Sequence, residues 1–164
     1  MGRWRPKLPP SSPYITAAGY AALQEEDKAL WQKRAGVVKA LAAAAAEGDR
    51  SENAEYIYRK KELAGIDRRI RYLQRRLPTL QIVREFANRD AVFFGAWVTL
   101  EQDTGDVVEY RIVGPDETDA APEYISMDSP LSRALLKRRV DDEIKLDLNG
   151  NSVVYYVTGI RYPD

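Results

Sequence analysis

The sequence predicts an α+β protein, an N-terminal antiparallel coiled-coil helical hairpin followed by a compact α+β domain. Three observations predict it. Residues 16 to about 77 hold two long helical patterns, separated by the polar stretch Glu47-Gly48-Asp49-Arg50-Ser51-Glu52-Asn53. Past Pro78 the apolar period changes from helical to extended. Turn signals, Asp103-Thr104-Gly105-Asp106 and Asn149-Gly150-Asn151, then punctuate the second half.

Composition narrows the chemistry. The 164 residues carry 25 Lys and Arg against 25 Asp and Glu, so the net charge is zero, but the charges are segregated along the chain. Cysteine and histidine are absent, which excludes disulfides, thiolate chemistry, Cys/His zinc sites and His-dependent triads. No apolar run approaches membrane-spanning length, and no signal-type apolar core opens the chain, so a cytoplasmic location is expected.

Residues 1–13 hold Pro6, Pro9, Pro10 and Pro13 with Arg3, Arg5 and Lys7, and read as a flexible basic leader. Its composition is equally that of an unselected tail and of a segment that touches nucleic acid. The hairpin is expected over residues 14–84. Thr16 is placed to cap the first helix, whose apolar positions (Tyr20, Leu23, Leu30, Val37, Val38, Leu41, Ala45) drift across the face and are interrupted by Asp27 and Arg34. The alanine run 42–46 lets two helices approach closely near the tip. The second helix, 53 to 77, has a heptad seam of Leu63, Ile66, Ile70, Leu73 and Leu77, and Pro78 ends it. A short connection forces the helices antiparallel, and an arm of this length reaches roughly 40 Å.

The acidic tip, residues 47–53, has a purely structural account. Gly48 supplies a left-handed residue that ends the first helix, Ser51 or Asp49 caps the second, and Glu52 sits in the first turn against the helix dipole. On the second helix Lys61, Arg68, Arg71 and Arg75 fall opposite the seam as an outward basic stripe, flanked by Lys60, Arg69 and Arg76 and offset in part by Glu62 and Asp67. Such a face is ordinarily just solvated, but a one-signed stripe also attracts phosphates.

The second domain is expected over residues 91–164. Strands are read at Leu80–Val83 and at residues 91–100, 109–113, 123–127, 143–148 and 152–157. Asp128-Ser129-Pro130 opens a short helix from Leu131 to about Arg138, with proline in the first turn.

Several segments, in order, now resemble one family. They are Gly48-Asp49-Arg50-Ser51-Glu52-Asn53-Ala54-Glu55-Tyr56, Ile66-Asp67-Arg68-Arg69-Ile70-Arg71-Tyr72-Leu73, Phe93-Phe94-Gly95-Ala96-Trp97-Val98, Tyr110-Arg111-Ile112-Val113-Gly114, and the run from Tyr124 through Ser129-Pro130-Leu131 to Leu136. The chain resembles, over residues 14 to 164, the Gre family of bacterial transcript-cleavage factors, its GreB branch in particular. The resemblance implies an FKBP-like second domain and binding to bacterial RNA polymerase, with the hairpin in the secondary channel where the RNA 3′ end of a backtracked complex is extruded. It implies that Asp49 and Glu52 are the tip carboxylates that help the polymerase active site hold a shared Mg2+, so that the polymerase cleaves its own transcript. It implies that Gly48, Ser51, Asn53 and Tyr56 shape the tip, and that the region of Pro130 docks on polymerase at the channel rim. The stripe of Lys61, Arg68, Arg71 and Arg75 is then assigned to the nascent RNA, because GreB-type arms carry the larger basic patch. The free protein is expected to bind no cofactor, to be a monomer, and to have no catalytic activity of its own.

The donor chemistry agrees. Mg2+ wants near-octahedral oxygen ligation, so two carboxylates make a poor stand-alone site and a good completion of a half-built one. A secondary-channel regulator or inhibitor without cleavage stimulation is the alternative, and the Asp49-Arg50-Ser51-Glu52-Asn53 tip resembles the cleavage-stimulating pattern instead. A prolyl isomerase, suggested by the FKBP-like fold, would need an aromatic proline-binding pocket, and no residue set for one is legible. A free-standing nuclease lacks the metal ligands.

Overall fold

The structure is a computed structural model that describes residues 10–48 and 53–163. The chain divides into two compact units: Tyr20–Leu80, and Met1–Gly19 together with Gln81–Asp164.

The first unit is built on two helices, α1 (Ala17–Ala45, whose first residues belong to the other unit) and α2 (Ala54–Arg76). Arg69 grips Glu26, Arg34 meets Asp67, and Asn53 reaches Ala44, so one position falls as the other rises and the helices run antiparallel. From α2, Ile66, Ile70 and Leu73 are buried and Leu63 half-buried, as is Leu77 just past its end. The seam of α1 is more regular than the expected drift. Leu23, Val37 and Ala44 are buried and Leu30 half-buried, a strict seven-residue line, while Val38 is exposed. The neighbouring line carries Asp27, Arg34 and Leu41. Arg34 is neutralised by Asp67 at 2.7 Å, whereas Asp27 Oδ1 is buried with no hydrogen-bond partner among the described residues.

Thr16 caps α1 by accepting the Gly19 N–H at 3.0 Å. At the far end α2 stops at Arg76, one residue before Leu77. Pro78 is then accommodated in a 3-10 turn, Leu77–Thr79, closed by the Leu80 N–H on Leu77 O.

The second unit holds a parallel pair, β1 (Tyr14–Thr16) beside β2 (Gln81–Val83), and a five-stranded sheet. The sheet order is β5-β4-β3-β7-β6, from β3 (Trp97–Gln102), β4 (Val107–Val113), β5 (Tyr124–Ser126), β6 (Glu143–Leu148) and β7 (Asn151–Arg161). All pairings are antiparallel except β4 with β5. The β6–β7 hairpin turns on Asn149 and Gly150, both at positive φ (51° and 82°), as an Asn-Gly turn requires. One face of the sheet buries Val98, Leu100, Ile112, Ile144 and Val157 with Leu135 of the short helix α3 (Pro130–Leu135). The other face carries a row in register across four strands, Tyr124, Arg111, Trp97 and Arg161, with the Arg161 guanidinium 4.5 Å from the Trp97 ring centre.

Three expectations change here. Ser12 and Pro13 are anchored, not a free leader: Ser12 donates N–H (2.9 Å) and O–H (2.5 Å) to Asp128, and Pro13 O accepts from Gln81. The strand expected from residue 91 begins only at Trp97, because Gly95 turns the chain at φ 89° and Ala96 N–H closes on Phe93 O. Ala91 and Val92 pair instead with the segment after α3. That helix ends at Leu135, since Leu136 and Lys137 (φ 69°) form a turn closed by the Arg138 N–H on Leu135 O. Beside this turn Tyr162 is buried, donating to Ala91 O and accepting from Phe93 N–H, and burial pushes its hydroxyl pKa up.

Candidate functional site

The hairpin tip is assembled from the ends of two helices. Approaching it, Ala46 N–H still bonds Ala42 O in α-helical register, and Glu47 N–H tightens onto Ala44 O at 3.2 Å. Gly48 follows at φ 128°, a backbone that side chains rarely adopt, with open space around it. Asp49, Ser51 and Glu52 lie outside the described residues.

Asn53 then does two jobs. Its Oδ1 accepts the Tyr56 N–H at 3.0 Å, the N-cap of α2, and its Nδ2 donates to Ala44 O at 2.7 Å on the opposite helix. One amide thus satisfies an orphan donor of α2 and adds a second hydrogen bond to an α1 carbonyl that already accepts the Glu47 N–H. The expected caps were Ser51 or Asp49; the cap is Asn53, because the helix starts at Ala54. The acid in the first helical turn is Glu55, which bonds Arg59 at 2.8 Å; Arg59 also reaches Glu62 at 3.0 Å. The Glu55 hydrogen bond is the main cause that raises the Arg59 pKa. Tyr56 is half-buried just inside the helix.

Along α2, Lys61, Arg68, Arg71 and Arg75 are exposed. The acids expected to offset them are engaged elsewhere, Glu62 with Arg59 and Asp67 with Arg34. Arg69, expected as a flank of the stripe, instead turns to α1 and holds both oxygens of Glu26 at 2.9–3.1 Å.

In the sheet unit, Pro130 is exposed at the first position of α3. Ser129 caps that helix by accepting the Ser132 N–H at 3.2 Å, and Asp128 just before it holds Ser12. Two further features had no local signal. Glu117 is 5% exposed and accepts three hydrogen bonds, from Thr16 N–H (2.8 Å), Thr16 O–H (2.5 Å) and Gly114 N–H (3.0 Å). A side chain at Gly19 would collide with this carboxylate, and one at Gly114 with Tyr14 O. Phe86, Phe93, Phe94 and Tyr162, with Val83, line a groove of about 320 Å3, so an aromatic cluster exists where the sequence offered none. Among the described residues, no three acidic side chains converge as a metal site, and no helix is long and apolar enough to cross a membrane.

Comparison with known proteins agrees with this two-part architecture. Residues 13–82 match the family "Transcription elongation factor, N-terminal", and residues 87–162 match "Transcription elongation factor, GreA/GreB, C-term". The chain belongs to the GreA/GreB family of transcription elongation factors. It is 54% identical to transcription elongation factor GreB of Xanthomonas axonopodis pv. citri, over 99% of this chain and 98% of that protein. It is 51% identical to GreB of Pasteurella multocida, over 92% and 97%, and 47% identical to GreB of Pseudomonas aeruginosa, over 99% and 98%. Among solved structures it is similar to GreA factor homolog 1 (Gfh1) of Thermus thermophilus, at 27% identity over 90% of this chain and 97% of that one, with a TM-score of 0.42. In this Gre-family chain the segment joining α1 to α2 carries the carboxylates Asp49 and Glu52, and Asn53 links the two helix ends beside them.

Proposed function

We propose that this Gre-family chain binds bacterial RNA polymerase, inserts its hairpin into the secondary channel and stimulates the polymerase's Mg2+-dependent cleavage of backtracked nascent RNA. The observation that carries the reading is the tip. Two carboxylates, Asp49 and Glu52, stand within four residues of each other beside an asparagine that staples both helix ends. A staple of this kind fixes the two helix ends that flank the carboxylates, which is what presenting them to another protein's active site demands.

The donor set fits a shared ion and not a private one. Two carboxylates leave most of the Mg2+ octahedron to water or to a partner, so Asp49 and Glu52 complete a site that the polymerase begins. Asp49 and Glu52 would help hold that ion, whose charge would supply stabilisation of the attacking and leaving oxygens. The role of this chain is to hold and orient, and the hydrolysis remains the polymerase's. The exposed Lys61, Arg68, Arg71 and Arg75 contact the backbone of the extruded RNA without base preference. The exposed Pro130 corner docks on the polymerase, so a charged substitution there weakens binding several-fold and added protein restores cleavage.

The deciding experiment adds purified protein and magnesium to stalled, backtracked elongation complexes and measures RNA shortening. The chain should stimulate cleavage, while Asp49→Ala and Glu52→Ala should abolish it with polymerase affinity nearly unchanged. Loss of affinity in parallel would make the tip a docking element, and RNA cleavage without polymerase would sink the shared-site mechanism.

A further inference from the structure

Trp31 lies on α1 and is 46% exposed, so much of its indole stays in water instead of in the seam. With Arg34, Asp67, Ile70, Arg71 and Gln74 it lines a groove of about 340 Å3 on the helix pair. The Arg34 guanidinium sits 5.9 Å from the indole centre and is fixed by Asp67 at 2.7 Å. The groove's one carboxylate is therefore matched. Arg71 is exposed and has no ion pair or hydrogen bond among the described residues, so its charge is available. Gln74, three residues along the same helix, adds an amide that both donates and accepts.

A flat π surface, an unmatched cation and an amide within one groove suit an unpaired nucleotide. The base stacks on the ring, the phosphate meets the cation, and a base edge meets the amide. A docking peptide helix would want a row of apolar anchors, and here the aliphatic side chain is Ile70, already buried in the seam.

We propose that the Trp31 groove is a stacking subsite for one unpaired nucleotide of an RNA strand that follows the Arg68, Arg71 and Arg75 stripe. This deepens the functional reading above and rests on its assignment of the stripe to RNA: the stripe holds backbone, and Trp31 holds a base. Stacking accepts any base, so the subsite adds grip without sequence preference.

The test measures binding of the full chain to a 5′-fluorescein single-stranded RNA of about twelve nucleotides, and to an abasic ribose-phosphate strand of the same length, by anisotropy at low salt. Trp31→Ala should weaken RNA binding about fivefold or more while leaving the abasic strand unaffected. Trp31→Leu, which keeps apolar bulk without a π face, should behave like Ala, and Trp31→Phe should retain most of the affinity. Arg71→Gln should weaken both strands and lower the salt slope by about one. Parental RNA affinity in Trp31→Ala, or equal losses on both strands, overturns the subsite. So does a Trp31→Ala that keeps RNA affinity but loses affinity for the elongation complex, which would make the groove a protein contact. If neutralising Arg68, Arg71 and Arg75 together leaves RNA binding unchanged while Trp31→Ala weakens it, the stripe assignment fails and the stacking contact survives.

Discussion

The hairpin and the sheet unit are stabilised in different ways. In the sheet unit Val92, Ala96, Val98, Leu100, Ile112, Leu135 and Val157 are all fully buried in one cluster. In the hairpin, among the described residues, only Leu73 reaches that level. Its seam is a single line from each helix, supplemented by ion pairs at Glu26–Arg69 and Arg34–Asp67 and by the Asn53 staple. A two-helix arm has no third layer to cover it, so it cannot bury more without broadening. The difference shows what each part was free to optimise: the sheet unit buries apolar area, while the hairpin stays thin and secures its tip with directional hydrogen bonds.

The largest effect should come from emptying the sheet core. Leu100→Ala removes a fully buried side chain and should lower the unfolding free energy by about 3 kcal/mol, read from denaturant melts. A loss below about 1 kcal/mol would mean the core collapses easily and the contrast with the hairpin is overstated.

A smaller, local effect is expected at the staple. Asn53→Ala loses both tip bonds and should cost about 1 kcal/mol, with faster hydrogen exchange at the Tyr56 amide. Polymerase-dependent cleavage should fall while affinity holds. Unchanged exchange at Tyr56 would show that another group caps α2.

A comparable change of opposite sign tests the seam. Asp27 Oδ1 is buried without a partner among the described residues, so Asp27→Leu exchanges an unsatisfied acceptor for apolar contact. Stability should rise by about 1 kcal/mol, measured as a higher melting midpoint. A fall would mean that solvent serves Asp27 and that the polar line of α1 stabilises the native pairing.

The smallest effect concerns pH on the open face of the sheet. The Arg161 hydrogen bond holds the Glu109 carboxyl below its usual range; desolvation opposes this, and the Arg161 charge and Thr99 hydroxyl add to it. A carboxyl depressed in the folded state contributes stability above its unfolded pKa and loses it as pH falls through the folded value. Glu109 is more than a third exposed, so solvent screens most of the gain. The stability difference between parent and Glu109→Gln should be small at about pH 7 and shrink as pH falls below the ordinary carboxylate range. A difference that grows toward acid would contradict the pairing.

The two regions also differed in how legible they were. Repetition announced both helices: the three-and-four spacing of Leu63, Ile66, Ile70, Leu73 and Leu77 needs no partner to be recognised. The Asn149-Gly150 turn and strand Glu143–Leu148 were equally local. β1 escaped because three residues carry no period, and the strand expected from residue 91 was misread because Gly95 decides the local backbone. Asn53 was expected to shape the tip, but its reach to Ala44 depends on how the helix ends meet. Glu117 is the extreme case. Its partner Thr16 stands 101 residues away, and nothing nearby distinguishes this glutamate from a surface one. Trp31 was not singled out from the sequence, which does not state which face of a helix stays wet.

The parallel pairing of β1 with β2 has a consequence for the order in which the chain is completed. Tyr14–Thr16 leaves the ribosome early, yet its strand partner is Gln81–Val83, and Ser12 must await Asp128, 116 residues later. At ordinary synthesis speeds that interval lasts about 6–23 s. The hairpin's interhelix ties span 9 to 43 residues and can close while the first strand still lacks its partner. Synthesis therefore supplies the hairpin ties before Tyr14–Thr16 meets its strand partner. Ribosome-bound chains halted near residue 100 should protect the hairpin from protease while cleavage near Tyr14 remains open; early protection at Tyr14 would reverse that order.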